Sequence, residues 1–144
     1  MARFSNQTRI LKNNSMKRTF TLFSILLLVV ASAFKPLNRG LDEVIAALKT
    51  GNATELARYV DDNIEIGLPD KTDNYSRAQA LVILRDFFAN VGVRSFEVKH
   101  QGDNGGRQFC IGTLNTKSGA YRTTVFMTSK DGKQLVKEIR FQEI

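Results

Sequence analysis

Cysteine is almost absent: Cys110 stands alone in 144 residues, so no intrachain disulfide forms. His100 is the single histidine. A structural zinc centre needs about four Cys or His ligands, so a Cys/His site is excluded and no metal or other cofactor is expected. Tryptophan is missing, and proline occurs only at Pro36 and Pro69. There is no phosphate-binding loop, no dinucleotide fingerprint and no H-E-x-x-H signature. The common nucleotide and metalloprotease chemistries therefore have no foothold.

Acidic residues are absent from the first 33 positions, which hold Arg3, Arg9, Lys12, Lys17 and Arg18. The whole chain has 21 basic and 14 acidic residues, a formal charge of +7. Removing those five cations leaves 16 against 14, a net of +2. The remainder has no basic stripe interleaved with aromatics, so a nucleic-acid partner is not expected. With 42% apolar residues the chain can bury a core.

The basic start leads into an address. Lys17 and Arg18 precede the apolar run from Phe20 to Val30, and Ala31-Ser32-Ala33 follows. A spanning helix needs about 20 apolar residues, and this run is shorter. The pattern predicts a secretory signal peptide over residues 1–33, cleaved after Ala33, with translation alternatively starting at Met16. Export to the periplasm or the medium follows, with no membrane span after cleavage. An uncleaved N-terminal anchor is the alternative. No cysteine follows the apolar run, which argues against a lipoprotein.

Residues 38–144 are expected to form one α+β domain. Leu41, Val44, Ile45 and Leu48 fall on one helical face, and Gly51 ends that helix. Asn52 caps a second, short helix that buries Ala53, Leu56, Ala57 and Val60. Ile64, Ile66 and Leu68 alternate as a short strand, and Pro69 to Asn74 reads as a polar loop. Ser76 and Gln79 make a capping box before a third helix carrying Ala80, Leu81, Leu84, Phe87, Phe88 and Val91, with Gly92 as its stop. From Val93 the period becomes two. Turns at 102–106, 117–119 and Asp131-Gly132 then divide a four-strand antiparallel meander. Three helices covering one apolar face of a curved antiparallel sheet leave a cone with a pocket at its mouth.

This element order resembles the nuclear transport factor 2-like fold. The chain also resembles a family of small exported bacterial domains of unknown function, typical of Bacteroidota. The resemblance is carried by Tyr75-Ser76-Arg77-Ala78, Val98-Lys99-His100-Gln101-Gly102, Ile111-Gly112-Thr113-Leu114 and Val136-Lys137-Glu138-Ile139-Arg140-Phe141. It implies the fold, export and no assigned activity. Enzymes of this fold, as the resemblance implies, place a carboxylate or an Asp–His pair inside the cone. Here the clear strand acids Glu65, Glu97 and Glu138 fall in the outward phase, and no catalytic residue is assigned.

Strand phase places His100 with Phe96 and Val98 on the apolar face, and Tyr121 with Val125 and Met127. The candidate ligand pocket is therefore His100, Tyr121, Phe96 and Tyr75. Asp61 and Asp62 read as a solvated pair at a helix–strand junction. The phenylalanines, Phe109 among them, read as core, and Cys110 as an inert buried thiol. Arg122, Phe126, Glu138 and Arg140 share the second face of the meander with Val136, and form a candidate partner surface.

Two functions compete. One is a non-catalytic module, binding a small apolar ligand in the cone or a protein partner, including a second copy, on the sheet. The other is a small isomerase or dehydratase using His100 with a pocket tyrosine. The signal peptide is checked by N-terminal sequencing of protein from its own host. Phe34 is the expected first residue, and an intact N-terminus marks the uncleaved anchor.

Overall fold

In the computed structural model, which describes residues 39–144, the apolar stripe of α1 (Arg39–Thr50) is buried through Leu41, Val44, Ile45, Ala47 and Leu48. The expected signal peptide at residues 1–33, with its alternative start at Met16, lies outside the described residues. Among the described residues no helix is long and apolar enough to cross a membrane. α2 (Ala53–Ala57) begins at Asn52, whose side-chain oxygen accepts the Glu55 N–H at 3.1 Å. α3 (Arg77–Val91) has both halves of its capping box. The Gln79 N–H donates to Ser76 Oγ, and the Ser76 N–H donates to Gln79 Oε1 at 3.0 Å. Gly92, at φ +68°, ends α3 in the left-handed conformation.

Six strands form one curved sheet: β1 (Val60–Gly67), β2 (Thr72–Ser76), β3 (Val93–Asn104), β4 (Arg107–Thr116), β5 (Gly119–Lys130) and β6 (Lys133–Glu143). Their order is β2-β1-β6-β5-β4-β3. β3 to β6 make the expected antiparallel meander. β1 pairs with β6 in parallel, so the sheet is mixed rather than wholly antiparallel. α1 packs on β3, β4 and β6, α3 packs on β1 and β2, and α2 lies against both helices.

Two expectations are corrected at the N-terminal strands. β1 begins at Val60 rather than Ile64, so Val60 belongs to the strand and not to the short helix. The end of the loop expected over Pro69 to Asn74 belongs instead to an edge strand, Thr72–Ser76, paired with β1. Only Tyr75 of its five residues is even half-buried. A two-sided polar edge has no apolar alternation to betray it, and polar residues there discourage further pairing.

Besides Arg94, unmatched at the start of β3, two extra residues reset the pleat. Val98 faces Gly112 and His100 faces Ile111, so Lys99 is unmatched in β3. Phe126 faces Glu138 while Met127 faces Val136, so Lys137 is unmatched in β6. Each bulge moves every side chain beyond it to the opposite face. Val136 is thereby fully buried, correcting its place on the outer face, and Leu135 is left half-buried.

Gly112 marks a close approach. A Cβ there would lie 2.5 Å from the Glu97 carbonyl oxygen and 2.5 Å from the Phe96 ring. Gly112→Ala is expected to lower stability by about 2 kcal/mol through this overpacking. Urea unfolding of the two proteins checks the value.

Candidate functional site

The inner face of the sheet is filled by the protein's own side chains. Phe87 stacks on Phe141 with ring centroids 4.6 Å apart, and meets Tyr121 edge-on at 5.5 Å. Phe88 meets Phe141 edge-on at 5.9 Å. Leu84, Leu114, Val125, Met127 and Ile139 complete the packing, each 1% exposed or less. Such aromatic pairs add to the burial of their large surfaces.

The four candidate pocket residues are not brought together. Phe96 and Tyr121 are core, at 4% and 6% exposure. Tyr75 lies on β2 with its ring 5.8 Å from Lys71 Nζ. His100 is exposed, because the Lys99 bulge takes it out of the Phe96–Val98 phase and pairs it with Ile111. An imidazole outside the sheet cannot act with the Tyr121 hydroxyl on a substrate in the cone. The one-histidine enzyme arrangement therefore lacks its geometry.

The four candidate partner-surface residues do share the outer face of the sheet. Phe126 is 43% exposed and packs beside Phe109, ring centroids 6.5 Å apart. Thr124 pairs with Ile111 on one side and Arg140 on the other. Arg140 bonds Glu65 at 2.7 Å and Glu138 at 2.6 Å. Arg122 is exposed and forms no ion pair among the described residues. Phe109, Ile111 and Glu65 belong to this face as well. Phe109 was expected in the core, and only its alternation against the buried Cys110 and Leu114 marked it as outward.

Asp61 is not the solvated junction residue that was expected. It is 1% exposed, with Lys137 Nζ 2.6 Å from Oδ2 and Lys130 Nζ 3.0 Å from Oδ1. The Asp62 N–H donates to Oδ1 at 2.7 Å. Asp62 itself is exposed and binds Lys130 at 3.1 Å and Arg77 at 3.3 Å. Arg77 also donates from Nε to the Val60 carbonyl at 2.9 Å. The bond from Lys137 holds the Asp61 carboxyl well below the usual carboxylate range, outweighing the upward push of burial. A carboxylate that stays ionised near neutral pH, with a lysine ammonium close to each oxygen, is a poor proton acceptor there. β6, β5 and β4 separate its strand from the strand of His100, so the two form no catalytic pair. Burial pushes the Cys110 thiol up to about 11, which keeps it unreactive.

The Asp61 cluster acts as a fastening. Its folded-state value is depressed, so its stabilisation is present above the ordinary value of 3.8 and is lost progressively as pH falls below that toward the lower folded-state value. Asp61→Asn is expected to cost about 2 kcal/mol at pH 7, since two cations lose their anion. The gap between variant and parent should narrow from pH 5 toward pH 2. Urea unfolding across that range measures it, and a gap independent of pH would show that charge is not the cause.

Comparison with known proteins agrees with this geometry. The family model described as "Domain of unknown function (DUF4783)" matches residues 41–142. A DUF4783 family protein of Bacteroides uniformis is 32% identical, with a TM-score of 0.70 over 72% of this chain and 95% of that one. Another, from Bacteroides ovatus, is 31% identical, with a TM-score of 0.69 over 71% and 93%. An NTF2-like protein of unknown function from Cytophaga hutchinsonii is 12% identical, with a TM-score of 0.54 over 73% and 87%, a likeness of fold alone. No functionally curated protein matches the chain. The chain belongs to the DUF4783 family of domains of unknown function.

Proposed function

We propose that this protein is an exported, non-catalytic binding module that associates with a second copy of itself through the outer face of its sheet. Export rests on the basic, apolar and small-residue order of residues 17–33. The non-catalytic reading rests on the filled cone and on the separation of His100 from every buried acid.

One observation carries the interface: an exposed Phe126 sits beside Phe109 at the centre of a face that bears charges of both signs. A two-fold interface must be complementary to itself. A surface of one sign would repel its copy, whereas Arg122, Arg140, Glu65 and Glu138 offer each copy both cations and anions. Four strands about 30 Å long and about 4.8 Å apart present roughly 600 Å² of flat area. Standard interfaces bury about 800 Å² of accessible surface per partner, so the sheet face is of the right size.

The test is sedimentation velocity across 1–200 µM, ranges chosen at about the affinities such interfaces reach. A dimer is expected for the parent, and a monomer with an unchanged circular dichroism spectrum for Phe126→Glu. A parent that stays monomeric well above micromolar concentration removes the reading.

A further inference from the structure

A second surface has a different chemistry. Where the β1–β2 turn meets α3 and the end of β6, a groove of about 420 Å³ opens. Leu68, Pro69, Ile83 and Phe87 supply its apolar lining. Asp70, Asp86 and Glu143 stand among them, and no cation lines the groove. None of these three acids takes part in an ion pair among the described residues. The neighbouring cations are already engaged. Lys71 binds Asp73 at 3.4 Å, and Arg140 binds Glu65 and Glu138.

This negative charge is local. The chain outside the N-terminal segment carries a small net positive charge, yet the groove combines three unneutralised carboxylates with apolar surface. Anions beside apolar walls attract a cation carried on an apolar body more strongly than a free inorganic ion or a neutral molecule. The groove also continues. A second recess of about 430 Å³ shares Leu68, Pro69 and Glu143 and adds the polar side chains of Thr72 and Gln142, together with Arg140, whose charge is taken up by Glu65 and Glu138. An apolar half followed by a polar half suits an extended chain, whose side chains use the first and whose amides use the second.

We propose that this groove docks a short basic and apolar peptide segment of a partner protein. An apolar side chain of the partner lies on Phe87, Ile83 and Leu68. A neighbouring Lys or Arg places its cation among Asp70, Asp86 and Glu143. The surface is separate from the outer sheet face, so both can be occupied at once.

The probes are acetyl-Leu-Lys-Leu-Lys-amide and its Gln and Glu counterparts, titrated into isotope-labelled protein and followed by amide chemical shifts. The Lys peptide is expected to give saturable shifts at Ile83, Phe87 and Glu143. The Glu peptide should give none, and the Gln peptide only weak ones. Asp86→Asn combined with Glu143→Gln changes exposed side chains and should leave the fold intact while weakening the Lys peptide about tenfold. Phe126→Glu should leave the titration unchanged. Equal binding of Lys and Gln peptides, shifts insensitive to the double variant, or no saturable shift overturns the proposal.

Discussion

A carboxylate withdrawn from water has to be compensated, and the compensation of Asp61 shapes the join between the two halves of the sheet. β1 and β6 run in register at Val60 with Val136, then separate, and resume at Glu65 with Glu138. Asp61 sits where they separate. Lys137, the extra residue of β6, supplies its cation from one side, and Lys130 from the end of β5 supplies another. Arg77 at the start of α3 is tied in through Asp62 and the Val60 carbonyl. A break in the backbone ladder is thus bridged by ionic side chains. The same bulge sends Val136 inward and leaves Glu138 and Arg140 outward. Core packing and surface character are settled by one local irregularity.

The division of faces follows. The inner face, with α1 and α3 above it, is packed with Phe87, Phe88, Tyr121 and Phe141. The proposed recognition surfaces are external. The outer sheet face pairs an aromatic centre with balanced charges, and the groove near Leu68 pairs apolar side chains with Asp70, Asp86 and Glu143. These two surfaces differ in sign and in curvature, which suits them to different occupants.

Much of the fold could be read from residue order. The stripe Leu41, Val44, Ile45, Leu48, the capping box Ser76–Gln79 and the turn at Asp131-Gly132 each carry a local physical signal, and each stands where that signal pointed. The failures have separate causes. A bulge has no composition of its own, so period-two counting through Lys99 and Lys137 misassigned His100 and Val136. β2 escaped notice because neither of its faces is packed. Asp61 escaped because its partners lie about 70 residues away in sequence, beyond any local pattern. The outer-face group Arg122, Phe126, Glu138 and Arg140 was legible because no bulge intervenes within β5 before Phe126. The groove acids were not, since three elements distant in the chain bring them together.

The position of β6 has a consequence for biogenesis. This strand of 11 residues is the last element in the chain and yet lies between β1 and β5. A ribosome delivers it after the other five strands. Until it emerges, the β1–β2 hairpin has no neighbour, and the β3–β5 ribbon has nothing to close against. The six-strand sheet therefore cannot close until β6 has been made. For the exported precursor proposed above, such late closure would keep the chain passable through a narrow translocation pore.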